Sequence, residues 1–356
     1  MNHKERVWQA INHQPTDRVP MHINATKWVV SKLKNTLGVV SDRELLEKLG
    51  IDIYDMRGID LHSGIAPGYT GPKSRFFPDD WGGNIMSFWG IDEIEIATAA
   101  GWYCETAAPP LANVASLDEI AQYNWPDVNW FDFSSLKSKL SYWNDYSIMA
   151  SVCSVFQHAT YLRGMDTLLM DMCIQPEIAH FFINKISDFY YSYFERMFKA
   201  AGDMIDIFAI ADDFGMQNSL LISPEMFEEY VAPQLKIMVD LAHSYGKKLL
   251  LHSCGNVELL VPRLIELGVD ILDPIQPECM NPLTIKEKYG CQICLRGGIS
   301  VQNTLSRGTV DDVQKETKRI VEVLKTGGGY ILSPGHPVLQ DDVPIENIIA
   351  LYRSYS

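Results

Sequence analysis

A chain of 356 residues, 47% hydrophobic and 21% charged, has the make-up of a soluble protein with a large core, and its length fits one or two domains. With 30 basic against 45 acidic residues the net charge is −15, and no Lys/Arg run is long enough to follow a phosphate backbone, which argues against nucleic acid as a partner. The opening MNHKERVWQAINHQPTDRVP lacks the apolar segment of a secretion signal, no 18-residue apolar run follows, and the seven cysteines are odd in number and scattered, so a cytoplasmic protein with reduced, buried or metal-bound thiols is expected.

Short apolar runs predict eight strands, taken in chain order at residues 19–23, 52–56, 148–153, 205–212, 248–254, 269–273, 293–297 and 330–334. Amphipathic helices are expected between the later ones. Residues 223–244 open with Ser223 and Pro224, a cap and first-turn signal, and residues 309–324 are closed by Gly327, Gly328 and Gly329. Repeated β-loop-α units predict a parallel sheet. Eight of them predict closure into an α/β fold of the (β/α)8 TIM-barrel type, residues 1–356 forming a single domain, with an open doubly wound sheet as the alternative. Residues 59 to about 145 interrupt this rhythm between the second and third strands. Rich in Gly, Pro and Trp (DDWGGNIMSFWG, AAGWYCETAAPP), this insertion reads either as a lid or specificity element over the barrel mouth or as a packing subdomain.

Barrel enzymes place their chemistry where strands end, and polar residues collect there in this sequence: Asp212 and Asp213, His252 and Cys254, Asp273, and His336. His252 and Cys254 stand two apart on an extended run (KKLLLHSCG), so both side chains leave one face and can reach one ion. Imidazole and thiolate suit Zn(II), which needs a third protein ligand and an open position for catalysis. His336 is the first choice for that ligand, with Cys279, Glu278 or Asp273 as substitutes. Asp212, Asp213 and Asp273 are the candidate acid/base or His-orienting groups, unless Asp213 or a neighbour caps a helix. Trp81, Trp89, His158, Tyr161 and Arg163 are candidate substrate-pocket residues whose alternative role is packing. Cys291 and Cys294 form a C-x-x-C, but GCQICLRGGIS reads as a buried strand and no second C-x-x-C exists to complete a structural site.

The segments DRVP, LRGMDTLLMDM, ADDFGMQNSLLISPEMF, LLLHSCGNVELLVPRLIELGVDILDPIQP, LRGGIS and GGGYILSPGHPVLQDDVPIENI together resemble the uroporphyrinogen decarboxylase superfamily over nearly the whole chain. That superfamily includes cobalamin-dependent methyltransferases, of the methanol:coenzyme M type and of the O-demethylase type. The decarboxylase branch carries an Arg-rich segment after the first strand, where this chain has MHINATKW and no arginine. The methyltransferase branch binds zinc through His-x-Cys and a later Cys. His252 and Cys254 match, but Ser333, Pro334, Gly335 and His336 stand where that branch has Pro-Gly-Cys. The resemblance therefore implies a zinc methyltransferase that works on a small methylated substrate with a corrinoid on a separate protein, and with a homodimer as a further candidate assembly. An imidazole in place of a thiolate would leave the ion more positive, which favours a methyl ether or alcohol over a thiol. A coenzyme M-type thiol methyltransferase and a metal-free decarboxylase-like lyase built on Asp212 and Asp213 are the alternatives.

Overall fold

Seven short parallel strands, each hydrogen-bonded to the next in chain order, carry the molecule in its computed structural model, which describes residues 1–61, 63–73, 87–98 and 101–355. They are β1 (Ile53–Asp55), β2 (Ser147–Cys153), β3 (Ile207–Ala211), β4 (Lys248–His252), β5 (Ile271–Ile275), β6 (Cys294–Ile299) and β7 (Tyr330–Pro334). Every pairing from β1–β2 to β6–β7 is parallel, so the connections are crossovers, mostly helical, and the C-terminal strand ends gather on one side.

The eighth position of the barrel is held by residues 20–22. Met21 bridges Leu332 of β7 in parallel, and on the other side Asp52 N donates to Met21 O at 2.9 Å. The strand expected over 19–23 is thus reduced to a single bridge. Pro20 has no N–H to give, and the Met21 N–H is taken by the Asp52 carboxylate at 2.9 Å instead of a neighbouring carbonyl. Inward residues of the strands, among them Ile53, Met149, Ile207, Leu250, Ile271 and Ile331, form one buried cluster with Val7 and Ile11. The helix His3–Ile11 that carries these two plugs the N-terminal end of the barrel, and Gly329 N, just before β7, donates to its Ala10 O at 2.9 Å. Each fully buried Ile or Leu there contributes about 1.5–3 kcal/mol relative to exposure.

The helix expected over 223–244 starts as read, with the Ser223 hydroxyl accepting from Met226 N and Pro224 in the first turn. It then widens into a π turn over Phe227–Val231 before continuing as Ala232–Ser244. Pro233 cannot supply the usual i→i−4 donor, and the wide turn absorbs that loss. The second expected helix is Val310–Leu324, with Thr309 and Asp312 closing a reciprocal cap.

The long excursion between β1 and β2 includes two small antiparallel pairs, Gly68–Tyr69 with Phe131–Asp132 and Glu93–Thr98 with Gly101–Thr106. Its aromatic side chains lie along the helix Pro176–Ala201: Trp89 against Phe189 and Tyr190, Trp125 against Phe182, and Phe131 against Tyr193, with ring centroids 5.0–5.7 Å apart. These contacts give that part of the excursion a packing role.

Candidate metal centre

Two strand ends build the site. β3 stops at Ala211, two residues before Asp213; β4 stops at His252, two residues before Cys254. The loops that follow touch backbone to backbone at Gly215 and Gly255: a Cβ on Gly215 would sit 2.6 Å from Cys254 O, and one on Gly255 would sit 2.4 Å from the Gly215 carbonyl carbon. Only glycines allow that approach, and Gly255 also holds a φ of +84°. The approach lets Asp213 Oδ1 accept from Cys254 N at 2.8 Å. His252 Nε2 then lies 3.5 Å from Cys254 Sγ and 3.6 Å from Asp213 Oδ1. A tetrahedral ion with bonds of about 2.0–2.3 Å sets its ligand atoms roughly 3.3–3.6 Å apart, and the separations of His252 Nε2 from both other donors match that spacing. Asp213, His252 and Cys254 are the group with ligand atoms all within 4.8 Å of one another among the described residues.

Behind His252 stands a buried ion pair. His252 Nδ1 is 2.7 Å from Asp273 Oδ2, and Arg296 donates to both oxygens of Asp273, from Nε at 2.5 Å and from Nη2 at 2.9 Å. Burial opposes charge on Asp273, but Arg296 and His252 outweigh it and hold the carboxyl well below the usual carboxylate range. Burial also opposes charge on His252, yet the bonds to Asp273 and Cys254 lift it to about 10. Asp273 thereby fixes the imidazole with Nε2 toward Asp213 and Cys254, the arrangement a metal-ligating histidine needs.

The remaining expected residues divide. Asp212 turns away: its carboxylate accepts from Ser154 Oγ at 2.9 Å, Val155 N at 3.1 Å and Gln157 N at 2.9 Å, anchoring the start of the helix Phe156–Arg163, and burial raises it to about 6 in spite of these bonds. The acid/base role expected of Asp212 is replaced by this anchoring, because both oxygens are spent on the next loop. His336 lines the same cavity as the three donors but stands outside their group, with Nδ1 3.1 Å from Val338 O. Glu278 is turned toward β6, accepting from Ser300 Oγ at 2.5 Å, and Cys279 is half-buried in the loop after β5. Tyr161 and His158 reach the cavity wall; His158 is buried with Nδ1 2.8 Å from Ser154 O. Trp89 is buried in the aromatic seam, and Arg163 is spent on Asp171 at 2.7 Å and on the Leu111 and Val114 carbonyls. Trp81 lies outside the described residues.

The cavity has a volume of about 360 Å3, near the lower end for small-molecule sites, and two of its walls were not anticipated from the sequence: Arg296 of β6 and Arg57 just after β1. Their signal was present, since a charge inside an apolar strand (CLRGGI, IYDMRG) demands a partner.

The model of the uroporphyrinogen decarboxylase (URO-D) family matches residues 112–355, well over half of the chain and all of β2–β7. The chain belongs to the URO-D family. Among its relatives, the methylated-thiol–coenzyme M methyltransferase of Methanosarcina mazei is 26% identical over 216 residues, covering 58% of this chain and 52% of that protein. The uroporphyrinogen decarboxylase of Aliarcobacter butzleri is 25% identical over 206 residues, covering 54% of each. The chain therefore spans about half the length of the curated URO-D relatives it matches. A solved methyltransferase from Methanosarcina mazei shares the fold over 99% of this chain and 98% of its own, with a TM-score of 0.67 and 19% identity.

Proposed function

We propose that this URO-D family member is a zinc-dependent methyltransferase that moves a methyl group between a small methylated substrate and a corrinoid carried on a separate protein. The observation that carries this reading is the convergence of Asp213, His252 and Cys254 within 4.8 Å at the C-terminal ends of β3 and β4. Zinc held there would act as a Lewis acid on the heteroatom bearing the methyl group. Asp273 and Arg296 keep His252 in register, Cys254 and Asp213 would supply the two anionic donors, and the leaving atom would take its proton from solvent reaching the cavity that His336 also lines. The methyl group leaves without its bonding pair, the heteroatom keeps that pair and takes a proton, and the methyl group bonds to the reduced cobalt of the corrinoid as second substrate.

With Asp213 as third donor, the ion and its ligands sum to zero formal charge, as two thiolates and one imidazole would. The extra positive charge that a neutral third ligand at His336 would leave on the ion, and the preference for an ether drawn from it, are therefore absent. A carboxylate oxygen is nevertheless a harder, less electron-releasing donor than sulfur, and on that ground a methyl ether or alcohol is the first substrate class. A thioether or thiol is the second reading, favoured by the same zero charge sum.

Zinc content tests the site. About one zinc per chain is expected in the wild type and in His336→Ala, with loss in Asp213→Ala and Cys254→Ala. Methylcobalamin formed from cob(I)alamin and a panel of methyl ethers, alcohols and thioethers then tests the reaction, with Cys254→Ala as the control. A wild type that takes up no zinc under reducing conditions sinks this reading and promotes a metal-free lyase.

A further inference from the structure

Three buried or half-buried guanidinium groups lie close to the barrel mouth, and they differ in what they have left to offer. Arg296 is 4% exposed and bound to Asp273; Arg163 is 4% exposed and bound to Asp171 and two carbonyls. Arg57 is 24% exposed, lines the cavity, and is held along one edge: Nη2 donates to Asp55 Oδ2 at 2.9 Å, and Nε is 3.3 and 3.4 Å from the two Asp55 oxygens. Its Nη1 makes no hydrogen bond among the described residues.

That fork is fixed before any ligand arrives. Asp55 is itself tied by Ser151 Oγ at 2.6 Å and by Arg57 N at 2.9 Å. The loop carrying Arg57 is closed by Gly58 N to Asp55 O at 2.8 Å and Ile65 N to Met56 O at 2.6 Å, and Asn24 Nδ2 reaches Gly58 O at 3.3 Å. An arginine ordered by its own carboxylate offers its free edge with little further loss of side-chain entropy. Because Asp55 offsets its charge, recognition at Arg57 depends on directed N–H bonds more than on net charge.

Placement supports a ligand role. β1 stands three strands round the sheet from β4, and Arg57, just after β1, lines the same cavity as His252 and Cys254. Met149, Ile210 and Leu250 supply the apolar part of the wall.

We infer that Arg57 is the anion-recognition residue of this cavity, and that the small methylated substrate carries an oxyanion, a carboxylate or a sulfonate, which Arg57 receives while its methyl-bearing end faces Asp213, His252 and Cys254. The methyl-bearing end rests on the methyl-transfer reading; the anion site rests on the geometry of Arg57. At roughly 30 Å3 per water-sized group the cavity takes a molecule of about a dozen non-hydrogen atoms.

Titration calorimetry of the zinc-loaded wild type with methoxyacetate, with its neutral amide methoxyacetamide and with 2-(methylthio)ethanesulfonate tests this. The carboxylate is expected to bind about tenfold or more tighter than the amide, as a charge-assisted hydrogen bond would provide. Arg57→Gln is expected to bring acid and amide within about twofold. The tighter of carboxylate and sulfonate identifies the oxyanion. Equal binding of acid and amide to the wild type, no binding of either at tens of millimolar, or an unchanged preference in Arg57→Gln would overturn the inference. Should Arg57→Gln not fold, Arg57→Lys keeps the charge beside Asp55 but not the fork; it is expected to lose most of the preference, and full retention would likewise overturn it. Cys254→Ala separates the two readings. It is expected to lose zinc and methyl transfer while keeping the preference for acid over amide, and a wild type that prefers the acid but transfers no methyl group would sink the methyltransferase reading alone.

Discussion

The two ends of the barrel each hold a buried aspartate clamped by arginine, and they use it differently. At the N-terminal end Asp52 accepts from His3, from Arg6, from Arg18 twice and from Met21 N, and Arg6 passes on to Asp17. Five bonds on two oxygens leave nothing to offer, and the helix His3–Ile11 covers the cluster. At the C-terminal end Asp273 is just as tightly held by Arg296, but it passes its hold to His252, whose Nε2 faces Asp213 and Cys254 in an open cavity. A closed network of charges stabilises a fold; the same network with one arm left open turns a histidine toward two further donors.

On that contrast, the largest effect on stability comes from the closed end. Asp52→Ala leaves Arg6 and Arg18 without their shared carboxylate, and removal of one partner of a buried pair costs about 3–5 kcal/mol. Denaturant unfolding should show this loss with zinc stoichiometry unchanged; a matching loss of zinc would mean that the two ends are one unit. The pH dependence follows with its sign. Burial opposes charge on Asp52, but His3, Arg18 and Arg6 outweigh it and hold the carboxyl below its ordinary value. The folded state therefore binds fewer protons than the unfolded one near that pKa, so the stabilisation is present above about pH 4 and is lost as pH falls through the depressed value. Thermal unfolding from pH 6 down to pH 3 should fall less steeply in Asp52→Asn than in the wild type, and parallel curves would contradict it.

The open end should respond in metal affinity. Asp273→Asn keeps the shape but removes the charge that orients His252 and pairs with Arg296, and loss of such a partner typically weakens metal binding about 10–100-fold. Competition against a chromophoric chelator measures this. Wild-type affinity in Asp273→Asn would mean that packing alone holds the imidazole, and the contrast between the ends would then lose its basis.

The strands and the His-x-Cys pair were legible because both are local patterns: apolar runs with a period, and two donors two residues apart on one face. The strand expected at 19–23 is cut to a bridge for a local reason too, since Pro20 and the carboxylate of Asp52 take away hydrogen bonds that would lengthen it. What could not be read was which residue joins His252 and Cys254. His336 was the expected third ligand because it ends a strand, whereas Asp213 reaches the pair only because Gly215 and Gly255 let two loops meet across 40 residues of chain, a contact with no signature in either loop alone. Arg57 and Arg296 were visible as charges within apolar strands, but their weight depends on Asp55 and Asp273 lying beside them, which only the fold reveals. Arg163 and Trp89 have the composition of pocket residues and serve as packing instead, one clamping the Leu111 and Val114 carbonyls, the other filling the seam against Pro176–Ala201.

The smallest expected effect bears on whether the open end is where metal is held. Cys291 and Cys294 have the spacing of a metal or redox pair, but Cys294 is the first residue of β6, sits in the apolar floor of the barrel beside Ile271 and Ile331, and burial pushes its thiol up to about 12. A thiol that keeps its proton is a poor ligand and a poor nucleophile, and Cys291, three residues before it, is exposed. Cys291→Ser should therefore change stability by no more than about 0.5 kcal/mol and leave zinc content where it was. A wild type carrying about two zincs per chain, falling to about one in Cys291→Ser, would place a second metal at the closed end and reverse the assignment of roles to the two ends.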